Sequence, residues 1–393
     1  MRPMREAASP RWTVEIQEGR AGWSRLVRCA ARPVFFSVFS SIGKSSPANS
    51  SRMHADLLTC VSAVILACID PDDVAPPSRS LTVAICTKDR PELVERCIRS
   101  LKRLNESQAF AILVVDNAPS DGRTAQVAKT ARVHYIVEPR AGLDFARNRA
   151  LKTATTDWLA FIDDDAVADG EWLDGLRRAW CRYPDAKGIT GFVLPYALDT
   201  PAQVIFEVNG GFRRGVVPIC FDPEIPHDPF HPCNSGRIGA GCNMAFDRFF
   251  ILDIGGFDEA LDTGRPLPGG GDLDIFCRVL HAGGTMAYEP NMIVRHEHRS
   301  TMDQLRRQYW SWGLGFMAFL DKTKIAQPSL RSRANALTRW WVKYMIKRFA
   351  KRVLRGQGVP VSMILAELLG GIQGYFGEYG RSVRRSEKIR QNG

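Results

Sequence analysis

The feature that most constrains this chain is a series of short apolar segments between residues 81 and 162, separated by stretches with helical periodicity. Each segment is rich in Val, Ile, Leu or aromatic residues, which is typical of strands buried on both faces. The predicted strands are Leu81–Thr87, Ala111–Val115, Val133–Val137 and Trp158–Ile162. Because strands that alternate with helices form parallel sheets with right-handed crossovers, the predicted fold class is α/β.

Polar residues stand at the ends of three of these strands. Thr87 and Asp89 follow the first strand, Asp116 follows the second, and Asp163 and Asp165 follow the fourth. In parallel sheets, ligands bind beyond the carboxyl ends of the strands. The topology therefore predicts a ligand site lined by these five residues.

The run Asp163, Asp164 and Asp165 is the strongest local signal. Three adjacent carboxylates repel one another at the mouth of a buried strand, so a cation is expected to stabilise them. Oxygen-rich sites suit Mg²⁺ or Mn²⁺, which bind through one or two carboxylates together with substrate phosphates. The alternative interpretation is a solvated acidic turn.

Three further aspartates each have a structural interpretation. Asp116 can accept hydrogen bonds from a base or a ribose, or it can form a helix N-cap or an Asx turn. Asp144 is predicted to be the N-cap of a helix over Phe145–Lys152. Asp272 follows the glycines Gly269–Gly271, which allow close backbone approach and favour a catalytic base, whereas capping of the helix after it is the alternative.

Two histidines follow a predicted strand over Met292–Val294. In strand geometry His296 and His298 would share one face. His296 is a candidate ligand for a metal or a phosphate, and a packing or surface role is the alternative.

The motifs together resemble the family 2 glycosyltransferases of the GT-A fold. The resemblance extends over residues 81–300, and the order and spacing of its short motifs carry it. The matching segments are Val83–Pro91, Val114–Asp121, Gly142–Arg149, Phe161–Asp165, Gly239–Phe246, Gly255–Glu259 and Gly270–Phe276.

This resemblance implies a Rossmann-like, mostly parallel sheet of the GT-A type with flanking helices. It also implies that Thr87, Asp89 and Asp116 hold the nucleotide of a nucleotide-sugar donor, with Arg147 nearby. Asp163 and Asp165 are similar to the family's DxD pair. In that pair, Asp163 would contact the donor, and Asp165 would hold Mg²⁺ or Mn²⁺ with His296.

The resemblance further implies an inverting sugar transfer to an acceptor hydroxyl, with Asp272 as the catalytic base. The family usually has Glu-Asp at this point, whereas this chain has Gly271 before Asp272. Polysaccharide or glycoconjugate synthesis is the expected context, and the acceptor is expected to be a sugar, a lipid-linked molecule or another hydroxyl compound.

Two alternatives belong to other functional classes. A catalytically degenerate nucleotide-sugar-binding protein would keep the fold, and Gly271 is the feature that favours it. A sugar nucleotidyltransferase should have a glycine-rich, arginine-bearing loop after the first strand, but Lys88–Pro91 contains no glycine. A dinucleotide dehydrogenase is disfavoured because no Gly-x-Gly-x-x-Gly follows any predicted strand.

Charge divides the 393-residue chain unevenly. Residues 301–393 contain 18 Lys and Arg against 5 Asp and Glu, whereas the net charge of the whole chain is +11. We therefore expect an N-terminal extension over 1–79, a catalytic domain over 80–300 and a basic helical region over 301–393. The helices predicted in the last region are Met302–Leu320, Asn335–Leu354 and Val361–Tyr375.

The basic region predicts contact with an anionic membrane. Apolar residues recur at helical spacings among its lysines and arginines, and the predicted interfacial face consists of Trp341, Tyr344, Met345, Phe349 and Val353. Nucleic-acid binding is disfavoured because no nucleic-acid motif accompanies the charge. A solvated helical cap over the catalytic domain is the remaining alternative.

The predicted location is the cytoplasm, with peripheral attachment to the inner face of the plasma membrane. The longest apolar run, Leu57–Ile69, has 13 residues and is too short for a spanning helix, so a buried helix or strand is expected there. The N-terminus lacks the pattern of a secretory signal. Ten cysteines without a Cys-x-x-Cys pair favour reduced thiols over disulfides or zinc.

Overall fold

The computed structural model describes residues 13–19, 22–29, 32–33, 78–105, 109–225, 227–264 and 266–392. The chain divides into two compact units, Met1–Cys68 and Ile69–Gly393. In the first unit, the strands β1 (Thr13–Gly19), β2 (Gly22–Cys29) and β3 (Arg32–Pro33) form an antiparallel sheet that the sequence did not predict. The element predicted at Leu57–Ile69 lies outside the described residues.

The second unit is built on a nine-stranded sheet. Its strand order is β10–β12–β9–β11–β7–β4–β5–β6, and the short strand β8 pairs with β12. The strands are β4 (Leu81–Thr87), β5 (Ala111–Asn117), β6 (His134–Glu138), β7 (Trp158–Ile162), β8 (Ala166–Ala168), β9 (Ala186–Pro195), β10 (Ile219–Phe221), β11 (Asn243–Asp247) and β12 (Thr285–His296).

Six of the nine strands run in the same direction, and β8, β10 and β11 run against them. The predicted α/β class with a mostly parallel sheet is confirmed, and the bounds of Leu81–Thr87 and Trp158–Ile162 agree with the prediction.

Eleven α-helices are present among the described residues. They are α1 (Pro91–Leu104), α2 (Arg123–Ala131), α3 (Leu143–Thr153), α4 (Trp172–Arg182), α5 (Pro201–Val208), α6 (Arg248–Asp253), α7 (Gly271–His281), α8 (Met302–Ala326), α9 (Arg331–Arg355), α10 (Val361–Gln373) and α11 (Tyr379–Asn392). The three helices predicted after residue 301 correspond to α8, α9 and α10, and α11 was not predicted.

The turn from β4 into α1 shows how the sequence ends a strand where the site begins. The side chains of Val83 and Ile85 are fully buried in the core, against the apolar stripe of α1. Asp89 then adopts a left-handed backbone conformation with φ of 54°, and Pro91 opens the helix at its first turn. Proline suits that position because its fixed φ is already helical.

The C-terminal helices pack at very short range. A Cβ added at Gly313 of α8 would overlap the carbonyl oxygen of Glu367, and one added at Gly370 of α10 would overlap that of Trp310. Glycines therefore allow the two helix backbones to touch.

The predicted membrane face of α9 is wrong at two positions. Trp341 and Met345 are buried in the core that α9 shares with α8 and α10, whereas Tyr344, Phe349 and Val353 are exposed. In the part of the chain that the structure describes, no helix combines the length and apolar character that a membrane span requires.

Candidate active site

The carboxyl ends of β4, β5 and β7 bring the predicted site residues to one edge of the sheet. Thr87 lies opposite Asp116 in the parallel register of β4 and β5. The acidic triplet begins directly after β7, which pairs with β4 on its other side. The Thr87 hydroxyl donates a hydrogen bond to Oδ2 of Asp164 at 2.6 Å, which joins the first strand to the triplet.

Asp116 presents an unused acceptor. Its Oδ2 accepts a hydrogen bond from the Tyr135 hydroxyl at 2.9 Å, whereas its Oδ1 is buried without a partner among the described residues. Burial raises the pKa of this carboxyl, although the bond from Tyr135 opposes the rise. A buried carboxylate oxygen without a donor is costly, so its position fits a ligand that brings an N–H or O–H group.

Asp89 is exposed and is oriented by the neighbouring strand end. Its Oδ1 accepts the backbone N–H of Ser120 at 2.8 Å, and the hydrogen bonds from Ser120 lower the pKa of Asp89. Asp89 and Asp116 therefore flank the ends of β4 and β5, as the topology predicted.

The acidic triplet is largely buried, which argues against the solvated turn. Asp164 accepts a hydrogen bond from Arg90 Nη1 at 3.0 Å, in addition to that from Thr87. Asp163 is half-buried, and burial, together with the charge of Asp165, raises its pKa to about 6. The three carboxylates therefore differ in environment, and Asp164 is held by protein groups alone.

Asp165 and His296 form the other half of this cluster. His296 Nε2 lies 3.0 Å from Oδ1 of Asp165, and both side chains are buried. Burial disfavours the charged form of both groups, but their mutual attraction and hydrogen bond are stronger. The pKa of Asp165 therefore falls to about 2, and that of His296 rises above its usual value. The pairing of β8 with β12 places them together, since Ala166 lies opposite His296.

A set of possible metal ligands lies here. Asp163, Cys242 and His296 each offer an atom within 4.8 Å of the others. Cys242 was not predicted; it precedes β11, whose Asn243 lies opposite Ile162. Burial raises the pKa of the Cys242 thiol well above its usual value.

The residues fit a divalent cation. Asp163 supplies a carboxylate oxygen and His296 an imidazole, and Asp165 lies against Nε2 of His296. Nδ1 of His296 is buried without a partner among the described residues. Carboxylates with few protein ligands suit Mg²⁺ or Mn²⁺, which complete their coordination with water and phosphate.

Asp272 lies in the first turn of α7 and is half-buried. Its Oδ2 accepts the backbone N–H of Gly241 at 3.1 Å, and its Oδ1 accepts the N–H of Leu273 at 2.9 Å. The N-cap of α7 is Gly270, which has no side chain, so Asp272 is not the N-cap of this helix.

Arg147 is buried on α3 between two carboxylates. Its Nη1 donates to Oδ1 of Asp144 at 2.9 Å and lies 3.5 Å from Oδ2 of Asp262. The predicted N-cap role of Asp144 is wrong, because Gly142 is the N-cap of α3 and Asp144 lies in its first turn, turned towards Arg147. Asp262 was not predicted from the sequence.

His298 does not join the metal-ligand set. Its Nε2 lies 3.0 Å from Oε2 of Glu207, and its ring packs against Phe206 and Phe212. The packing alternative therefore applies to His298, whereas His296 faces the acidic cluster.

A sheet of this topology, with an acidic triplet at the end of a parallel strand and a carboxylate on the adjoining helix, is the arrangement that the resemblance to GT-A glycosyltransferases implied. The sequence comparisons agree with this class. Residues 82–194 match the model of glycosyl transferase family 2. The match confirms, over those residues, the resemblance to the family 2 glycosyltransferases inferred from the sequence.

Two relatives illustrate the extent of the likeness. The succinoglycan biosynthesis protein ExoM of Rhizobium meliloti (strain 1021) is 28% identical over 243 residues, which cover 59% of this chain and 72% of the relative. The pre-mycofactocin glycosyltransferase of Mycobacterium tuberculosis (strain ATCC 25618 / H37Rv) is 26% identical over 230 residues, covering 58% of this chain. That match spans only 44% of the mycobacterial protein.

Among solved structures, the mannosyltransferase PcManGT from Pyrobaculum calidifontis, in complex with GDP-Man and Mn²⁺, is 16% identical. The superposition has a TM-score of 0.48 and covers 87% of this chain and 94% of that one.

Proposed function

We propose that this chain transfers a sugar from a nucleotide-sugar donor to an acceptor hydroxyl, with inversion and with a divalent cation. One observation carries the proposal: two adjacent residues join the two halves of the site. The Gly241 N–H donates to Asp272, while the next residue, Cys242, lies within 4.8 Å of ligand atoms of Asp163 and His296. The candidate base therefore lies beside the candidate metal site.

Donor binding is assigned to the strand ends. Asp116 offers its free Oδ1 to the base or ribose of the nucleotide, and Asp89 lies at the adjacent strand end. Asp163, Asp165 and His296 would hold Mg²⁺ or Mn²⁺. A bound cation would supply Lewis-acid stabilisation of the negative charge on the departing diphosphate.

Asp272 is assigned as the general base. One of its carboxylate oxygens takes the proton of the acceptor hydroxyl as the acceptor oxygen bonds to the anomeric carbon. The bond from that carbon to the diphosphate oxygen breaks in the same step, and attack from the opposite face inverts the configuration. Such a base contributes about 10²–10⁴-fold to the rate.

Asp272→Asn tests this assignment. The amide cannot take the proton, so turnover should fall about 10²–10⁴-fold while donor affinity stays within about threefold. Transfer is measured with a panel of nucleotide sugars and Mn²⁺, and donor binding by calorimetry. Asp303→Asn, which removes an exposed carboxylate at the start of α8, is the control.

Three results would contradict the proposed transfer reaction or the role of Asp272. Parallel loss of donor binding and turnover in Asp272→Asn would indicate a structural role for Asp272. Donor binding by the wild type without any transfer would favour the degenerate binding protein, and formation of a nucleotide sugar from a sugar phosphate would favour the nucleotidyltransferase.

We further propose polysaccharide or glycoconjugate synthesis at the cytoplasmic face of the plasma membrane, on a sugar or lipid-linked acceptor. The name of the Rhizobium relative, a succinoglycan biosynthesis protein, supports the first part. The exposed surface supports the second. Leu365, Leu369 and Ile372 form a stripe on α10 and are 44%, 61% and 47% exposed, while α9 exposes Phe349 and Val353.

Basic side chains accompany the exposed apolar residues of α9. Lys343, Lys347 and Lys351 of α9 are exposed, and each basic residue near an anionic surface contributes about 1 kcal/mol. Apolar side chains among lysines suit the interface of an anionic bilayer, whereas a solvated cap would need no exposed leucine stripe.

Liposome flotation tests the membrane assignment. Binding should require anionic lipid and weaken with salt. It should fall at least about tenfold in Leu365→Ser/Leu369→Ser, because each leucine that enters the bilayer contributes about 1.5–3 kcal/mol. The control is Val208→Ser, which changes an apolar side chain 75% exposed on α5. Equally poor flotation with neutral and anionic vesicles at low salt would refute the attachment.

A further inference from the structure

Position 271 has no room for a side chain. A Cβ added at Gly271 would overlap Oδ2 of Asp144 and would lie 2.5 Å from Oδ2 of Asp262. The sequence resemblance leads one to expect an acidic residue at 271. In this chain, two carboxylates from other segments occupy that volume.

Asp262 connects the N-termini of two helices. Its carbonyl oxygen accepts the backbone N–H of Leu143, at the start of α3, at 3.0 Å. Its Oδ2 accepts the N–H of Gly271, the first residue of α7, at 3.0 Å. These are N–H groups of helix first turns, which have no partner inside their own helices. One residue thus caps the helix of Arg147 and the helix of Asp272.

Asp262 has a backbone conformation that is unfavourable for a residue with a side chain. Its φ is 49°, in the left-handed region, which glycine occupies more readily than any residue with a Cβ. The side chain is only 13% exposed and lies 3.5 Å from Nη1 of Arg147. Burial also raises the pKa of its carboxyl to about 6, although Arg147 opposes the rise. An unfavourable backbone conformation and a buried charge persist where the carboxylate is needed.

We propose that Asp262 is a positioning residue for the transfer reaction and supplies from its own loop the carboxylate that position 271 lacks. It holds the first turn of α7, and therefore Asp272, against the site, and it shares Nη1 of Arg147 with Asp144. This inference rests on the proposed function, because Asp272 is the base whose position Asp262 controls.

Two substitutions at position 262 test the proposal. Asp262→Gly relaxes the backbone and removes the side-chain cap, whereas Asp262→Asn keeps an acceptor for the Gly271 N–H but removes the charge beside Arg147. Asp253→Gly, at an exposed aspartate at the end of α6, is the matched control.

The kinetic measurement shows whether a substitution changes kcat or the donor KM. Asp262→Gly should lower kcat about 100-fold, as expected for a misplaced base, with the donor KM within about threefold. Asp262→Asn should keep a kcat at least about tenfold above that of Asp262→Gly, because its amide oxygen still accepts the Gly271 N–H and caps the first turn of α7. Asp253→Gly should match the wild type.

Hydrogen exchange of the first turn of α7 provides a readout that needs no turnover. Amide exchange over Gly271–Asp274 should be about fivefold faster or more in Asp262→Gly than in the wild type, because the helix loses a cap. If the wild type transfers no sugar, the proposed function fails and this exchange measurement alone decides the positioning role.

Two results would overturn the proposal. Wild-type kcat or wild-type exchange in Asp262→Gly would show that the carboxylate positions nothing. A folded Asp262→Asn variant with a kcat no higher than that of Asp262→Gly would show that the side-chain cap on α7 does not position the base.

Discussion

Replacement of Asp262 by Asn should stabilise the protein at neutral pH. The pKa of this carboxyl rises from its usual 3.8 to about 6, mainly because of burial, with Asp272 adding to the rise. Below about pH 4 the carboxyl is protonated in both folded and unfolded chains, so it costs nothing. Between pH 4 and 6 the unfolded chain releases the proton first, and stability falls. Above pH 6 the cost is constant, at about 3 kcal/mol.

Asn at 262 keeps an acceptor for the Gly271 N–H but has no charge to bury, so this pH dependence should vanish. For the unit Ile69–Gly393, roughly 325 residues, 3 kcal/mol corresponds to about 4 °C in Tm. Thermal unfolding of both proteins from pH 4 to 8 checks this. The Tm difference between the variant and the wild type should grow by about 4 °C in favour of the variant between pH 4 and 7. A constant Tm difference across that range would refute the reasoning.

Three further changes have defined outcomes. Asp165→Ala should abolish transfer, EDTA should do so reversibly, and Mn²⁺ titration by calorimetry should show weakened binding; full turnover in metal-free buffer would exclude the metal role. Asp116→Asn should weaken donor binding about tenfold with kcat little changed, since a hydrogen bond to a charged group contributes about 1.5–3 kcal/mol, and calorimetry with the donor measures it. Gly370→Ala should destabilise the protein by at least about 3 kcal/mol because its Cβ overlaps the Trp310 carbonyl oxygen, whereas Gly380→Ala, which meets nothing within 4 Å, should be neutral or stabilising, as thermal unfolding would show.

The sequence was sufficient to predict the parts of the site that depend on neighbouring residues. β4 and β7 end where polar residues or a proline follow a buried run, so both the strand bounds and the position of Asp163 were predicted. The first turn of α7 was likewise visible, because an apolar helical pattern begins directly after three glycines. Sequence patterns of this kind involve residues that are close together in the chain.

Contacts between residues far apart in the sequence could not be predicted. Cys242 lies beside Asp163 only because β11 runs antiparallel to β7, and a lone cysteine gives no indication of that register. Asp262 follows Leu261 in a segment without periodicity, and its carboxylate meets Arg147 115 residues away in sequence. Trp341 and Met345 were assigned to the surface because helical spacing identifies an apolar face but not what covers it.

The C-terminal helices complete the electrostatics of the catalytic region. Lys322 of α8 forms ion pairs with Asp274 of α7 and, at 3.5 Å, with Asp258. The Tyr379 hydroxyl of α11 donates to Asp258 at 2.8 Å, so two C-terminal helices contact the segment that leads to Asp262. Burial would raise the pKa of Asp274, yet Arg278 and Lys322 hold it below its usual value. Lys322→Met would leave that buried carboxylate short of a partner, a change that typically costs about 3–5 kcal/mol. The basic region therefore supports α7, the helix that carries Asp272, through buried ion pairs, whatever its exposed side contacts.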